Sequence, residues 1–159
     1  MWEIKYSNDI MMYEDKFEVE FIRRTIILLE QYKQCKFISR EDKYENTLFL
    51  NMCLGLLIIP RQAYHSQLER LKNENATNEF WGIPDDAICL GTKNVYDVVR
   101  HMRNGIVHNH CEFLSEDKEN ISHIMINDFK PNGLHNFSIK LTTQKFSEFV
   151  LLISNYFIK

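Results

Sequence analysis

Residues 100–110 run Arg-His-Met-Arg-Asn-Gly-Ile-Val-His-Asn-His. Between Leu90 and Cys111 there are three fixed cations (Lys93, Arg100, Arg103) against one anion (Asp97), and three of the chain's six histidines. Imidazoles titrate near neutral pH and can give or take a proton. A guanidinium stays charged, and its fork matches an oxyanion. On a helix, Arg100, Asn104 and His108 lie four apart and share a face. Arg103 and His108 are five apart and flank that face from opposite sides. Gly105 costs a helix ~1 kcal/mol against Ala, so it marks a spot where another backbone or a substrate comes close. Two plainer readings fit the same letters. One is a solvated helix end, since cations there gain ~0.3–1 kcal/mol from the macrodipole. The other is a metal site made by His101, His108 and His110.

The elements that must hold this segment follow from periodicity. Apolar residues at steps of three and four predict a helix over about Tyr13–Cys35, carried by Phe17, Phe21, Leu28 and Tyr32. Ser39 is placed to cap a second helix over about Glu41–Ile59, apolar on most sides and therefore central. Pro60 closes it. Arg61–Lys72 reads as a short helix, and 73–86 as loop. A third long helix starts near Thr92 or Asn94, with Val95, Val98, Val99 and Met102 as its apolar stripe, and runs at least to Val107. The charged stretch 115–120 reads as loop. The period then changes to two over 121–141, interrupted by the turn residues Lys130-Pro131-Asn132-Gly133, which predicts a β-hairpin. Thr142 or Thr143 caps a last helix whose inner face holds Phe146, Phe149, Val150, Ile153 and Phe157.

The 159 residues suit a single domain spanning 1–159, with 1–12 as an irregular lead-in. Five glycines and three prolines are too few turn-formers for a many-stranded sandwich or barrel, and no glycine-rich phosphate loop is present. A net charge of −3 excludes a globally basic nucleic-acid binder, so any such site is local. Cys35, Cys53, Cys89 and Cys111 are widely spaced and form no C-x-x-C pair, which predicts reduced thiols and no metal site. Residues 1–6 hold no apolar signal core. The longest apolar run, Leu48–Ile59, is too short to span a bilayer. A cytoplasmic protein without membrane contact is expected. Arg23, Arg24 and Arg61 read as solvated, and His65, His123 and His135 as incidental.

Arg103-Asn104-Gly105-Ile106-Val107-His108 resembles the Arg-x(4–6)-His motif of the HEPN superfamily, in which a polar residue, often Asn, follows the Arg. The stretch Asn51–Gln62 looks like the second helix of one branch of that superfamily. The resemblance covers about residues 13–157. It implies a mostly α fold, an antiparallel helical bundle of four to five helices with the motif ending the third long helix. The hairpin before the last helix departs from the simplest such bundle. The resemblance further implies a metal-independent endoribonuclease without cofactor, in which the 2′-hydroxyl of single-stranded RNA attacks the adjacent phosphate. The implied catalytic residues are Arg103 and His108, with Asn104 orienting either group, and Arg100 and His110 as substrate contacts. Arg103-x6-His110 is an alternative pairing. The implied partners are RNA, a second copy of the chain sharing a composite site, and a cognate antitoxin protein, in the setting of a toxin or antiphage effector. The rival readings are a non-catalytic nucleotide- or partner-binding module of the same shape, and a purely structural helical interaction protein.

Overall fold

A computed structural model describes residues 17–34, 45–58, 64–116 and 121–158. The expected lead-in 1–12, the Ser39 cap and Cys35 lie outside those residues. Helices α1 (Phe17–Gln34) and α2 (Glu45–Ile58) are followed by a short α3 (His65–Glu69), which continues as a 3₁₀ turn over Arg70–Asn73. Strand β1 (Ile88–Leu90) precedes α4 (Val95–Val107). Strands β2 (Cys111–Leu114), β3 (His123–Phe129) and β4 (His135–Thr142) follow, and α5 (Thr143–Phe157) comes last.

The four strands form one antiparallel sheet in the order β1-β4-β3-β2. This overturns the expectation of an antiparallel helical bundle. The hairpin at 121–141 is the middle of a sheet whose outer strands are β1 and β2, and the helices pack against it, giving a mixed α and β architecture. The physical reason lies in burial. Ile124 and Ile126 of β3 and Phe137, Ile139 and Leu141 of β4 are at most 2% exposed, and each fully buried large apolar side chain contributes ~1.5–3 kcal/mol. Both strands of the hairpin bury one face completely, so they need flanking strands to satisfy their outer backbone groups.

Helix α4 lies against β3 and α5 against β4, while α2 packs on α4 and α5 and α1 on α2. Val95, Val98, Val99 and Met102 of α4 meet Phe146, Phe149, Val150 and Ile153 of α5 and Cys53, Leu56 and Leu57 of α2 in one core. The turn between β3 and β4 is closed by Lys130 N–H to the Leu134 carbonyl and by Gly133 N–H to the Lys130 carbonyl. Gly133 takes φ +82° there, a conformation that glycine reaches without strain. Among the described residues no helix is long and apolar enough to cross a membrane.

Candidate functional site at the end of α4

Helix α4 is fixed at both ends by its own sequence. At its start the Asn94 side chain accepts the Asp97 N–H at 2.8 Å and donates to the Thr92 hydroxyl at 2.7 Å and the Asp97 carboxylate at 2.8 Å. An acid in the first turn also suits the macrodipole. At its end Asn109 adopts φ +59°. The His110 N–H then reaches the Gly105 carbonyl at 2.7 Å, and the Asn109 N–H reaches the Ile106 carbonyl at 3.1 Å. This is a Schellman closure with Asn in the left-handed position. It leaves His108 as the exposed cap residue and turns the chain straight into β2.

Gly105 sits where α4 crosses β3. A Cβ at that position would stand 2.4 Å from the Asn127 carbonyl oxygen and 2.6 Å from Ile126 Cγ2. The close approach expected there is made by backbone. It brings the motif face of α4 onto β3 beside Asp128.

Asp128 is the residue that sequence reasoning missed, and with it the role of His101, read there only as a candidate metal ligand. Both are buried, at 5% and 6% exposure, and His101 Nδ1 lies 2.7 Å from Asp128 Oδ2. The same oxygen accepts Asn104 Nδ2 at 3.3 Å, and Asp128 Oδ1 accepts the Phe129 N–H at 2.9 Å. Burial pushes the Asp128 carboxyl up, but the hydrogen bonds from His101, Asn104 and Phe129 outweigh it and hold the group below the usual carboxylate range. The His101 ring also stacks on Phe137, with centroids 4.9 Å apart. A signal for Asp128 was present in the chain. In Ile124-x-Ile126-x-Asp128 the alternation places an acid on the buried row of β3, where it needs donors.

The five expected site residues fall into two groups. Arg100, Arg103 and Asn104 belong to the polar network. Arg100 pairs with Asp97 at 2.9 Å and approaches His101 Nε2 at 3.0 Å. Burial raises the Asp97 carboxyl, but hydrogen bonds from Asn94 and Arg100 bring it below its ordinary range. Arg103 Nη1 donates to Asn104 Oδ1 at 3.2 Å, while its Nε is buried without a hydrogen-bond partner. The second group is a set of rings. His108 and His110 lie 6.2 Å apart, the His110 ring stands edge-on to Phe129 at 4.9 Å, and His135 stacks on Phe129 at 4.8 Å. His110 Nδ1 is buried and unpartnered. Five residues of helix separate Arg103 from His108 by about 140° around the axis, and among the described residues no hydrogen bond joins them.

His101, with both ring nitrogens engaged, is not gathered with His108 and His110. Among the described residues no group of three or more His, Cys, Asp or Glu side chains is placed to hold a metal ion. What the arrangement offers is a half-buried guanidinium held by one amide, and an exposed imidazole at the same helix end.

The family model for HEPN pEK499 p136 matches residues 5–159 of the chain. No curated protein and no solved structure matches it.

Proposed function

This chain belongs to the HEPN pEK499 p136 family, and on that premise we propose that it is a metal-independent endoribonuclease acting on single-stranded RNA. The observation that supports the reading is the state of the two motif residues. Arg103 commits Nη1 to Asn104 and buries its Nε, which leaves Nη2 for a ligand, and His108 is exposed at the helix cap.

The substrate supplies the nucleophile. Its 2′-hydroxyl attacks the adjacent phosphorus as the 5′-oxygen leaves, giving a 2′,3′-cyclic phosphate. His108 transfers the proton. Arg103 stabilises the extra negative charge on the phosphoryl oxygens, and Asn104 holds its guanidinium. His110 lies beside His108 as a substrate contact. Arg100, half-neutralised by Asp97, adds a more distant positive charge.

One chain presents Arg103 and His108 on different sides of α4. The proposal therefore includes a homodimer in which two helix ends form one cationic groove. A chain of net charge −3 can hold RNA in that way. The cellular role proposed is that of a toxin or antiphage effector restrained by a cognate antitoxin.

The test is cleavage of labelled single-stranded RNA in EDTA, with light scattering on the same sample. Wild type is expected to cut, to leave cyclic or 3′-phosphate ends, and to scatter as twice 19.1 kDa. His108→Ala is expected to lose ~10²–10⁴-fold and Arg103→Ala ~10²–10³-fold, with His110→Ala losing less. A 2′-deoxy substitution at the cut site should bind and resist. Cutting that requires added divalent metal, or undiminished cutting by His108→Ala, would overturn the assignment. RNA binding without cleavage would favour the non-catalytic module.

A further inference from the structure

We infer that the buried His101–Asp128 pair is a positioning device that sets the orientation of the Arg103 guanidinium through the side-chain amide of Asn104. The inference rests on the reading of Arg103 as the group that faces the phosphate.

The argument is one of donors and acceptors. A carboxylate on the buried face of β3 costs several kcal/mol unless it is hydrogen-bonded, and Asp128 receives three donors. One of them is His101, whose proton position follows from its neighbours. Arg100 has only N–H donors, so its approach to Nε2 at 3.0 Å requires the lone pair there. The ring proton then sits on Nδ1 and points at Asp128 Oδ2. That same oxygen accepts only, so it fixes the Asn104 amide with Nδ2 toward Asp128 and Oδ1 toward Arg103.

The reverse orientation of Asn104 would set its NH₂ group against the guanidinium, donor on donor, and its oxygen against the carboxylate, acceptor on acceptor. Asp128 thus decides which atom Arg103 meets. A single directed chain results: Arg100 donates to His101, His101 donates to Asp128, and Arg103 donates to Asn104, which donates to the same carboxylate. Among the described residues Asn104 is the side chain that accepts from Arg103, and the buried Arg103 Nε has no partner. Among the described residues no other hydrogen bond holds the guanidinium in place. Asp128 comes from β3 rather than α4, so the device ties the arginine to the sheet and not merely to its own helix.

The experiment removes the shared acceptor and the relay, singly and together. Asp128→Ala takes away the oxygen on which His101 and Asn104 converge, and the Asn104 amide loses its fixed orientation. Asn104→Ala removes the amide and leaves the His101–Asp128 pair. The double variant Asp128→Ala with Asn104→Ala closes the cycle. Two readouts are taken well below the melting temperature: kcat and KM for an RNA oligonucleotide, and the ¹⁵N–¹H signal of Arg103 Nε, assigned by its loss in Arg103→Lys.

Asp128→Ala is expected to lower kcat by about 10- to 100-fold, the scale of misplacing a reacting group, with KM little changed. It should also shift or broaden the Arg103 signal. Asn104→Ala is expected to do the same, and adding Asp128→Ala to it should change neither readout further. A wild-type rate and signal in Asp128→Ala would overturn the inference. So would a loss on adding Asp128→Ala to Asn104→Ala as large as in wild type, because the aspartate would then act without the amide. Should Asp128→Ala fail to fold, Asn104→Ala decides alone: a shifted Arg103 signal supports the relay and an unmoved one overturns it. Should wild type not cut RNA at all, the ribonuclease reading fails, while the Arg103 signal still accepts or rejects the positioning role.

Discussion

Gly105 of α4 lies so near the backbone of Asn127 in β3 that a Cβ added to it would stand 2.4 Å from the Asn127 carbonyl oxygen. Two effects of opposite sign meet at this residue. Alanine would favour the helix by ~1 kcal/mol. The same methyl group would push α4 away from β3, and overpacking a fitted contact costs ~1–3 kcal/mol, occasionally more. The obstacle is backbone plus a buried Ile126 methyl, neither of which can swing aside. Packing therefore wins. Gly105→Ala is expected to lower the melting temperature by several degrees, at ~2–4 °C per kcal/mol for a chain of this size. A rise in melting temperature would mean that α4 and β3 are not in this contact.

Acid should destabilise the protein through the carboxylates of the polar network. Asp97 and Asp128 are both held below the ordinary carboxylate range in the fold, in each case because hydrogen bonds outweigh burial. A lowered folded-state value means that the unfolded chain binds the proton more tightly. Their contribution is thus fully present above the unfolded carboxylate range and lost as pH falls through the folded values. The melting temperature is expected to be level from pH 7 to about 5 and to fall below about pH 4. Asp128→Asn should reduce that acid slope. Thermal melts at a series of pH values check it, and an unchanged slope in the variant would contradict the assignment.

The thiols should differ sharply in reactivity. Cys89 is exposed, Cys111 half-buried and Cys53 buried. Burial pushes the Cys111 thiol up to about 11, so it holds little thiolate at pH 8. Titration of the folded protein with an aromatic disulfide at pH 8 should lose one fast equivalent in Cys89→Ser and none in Cys111→Ser. Reductant should leave the melting temperature unchanged. A loss of several degrees would reveal a disulfide.

Long elements were legible in the chain because their patterns repeat. The valine and methionine stripe of α4 and the inner face of α5 could be read directly, with α4 starting near Thr92 or Asn94 and α5 capped by Thr142 or Thr143; the structure settles the caps as Asn94 and Thr142. Strands β1 and β2, three and four residues long, are too short to establish a period, and β2 has an exposed middle. Without them the hairpin looked like an addition to a bundle rather than the centre of a sheet. At the site, Gly105 announced a close approach but not its partner. His101 and Asp128 lie 27 residues apart on a helix and a strand, and no local spacing rule links such a pair. The alternation of β3 put an acid on the buried row, but only the register of α4 against that strand names its donors.

The strand pairings enclose very different lengths of chain. β3 and β4 are joined by the short turn at 130–134, whereas Ile88 of β1 meets Ile139 of β4 about fifty positions later, with α4, β2 and β3 all inside that closure. Closing a long loop is entropically costly until the contacts within it exist. The expected order of assembly is the hairpin first, α4 laid on it next, and β1 last. In folding kinetics Ile126→Ala should then slow folding, while Ile88→Ala should mainly speed unfolding; the opposite pattern would refute this order. During synthesis the cationic end of α4 is made before the strand that carries Asp128. The newborn helix therefore passes through a stage in which its arginines and His101 have no carboxylate from the sheet to organise them.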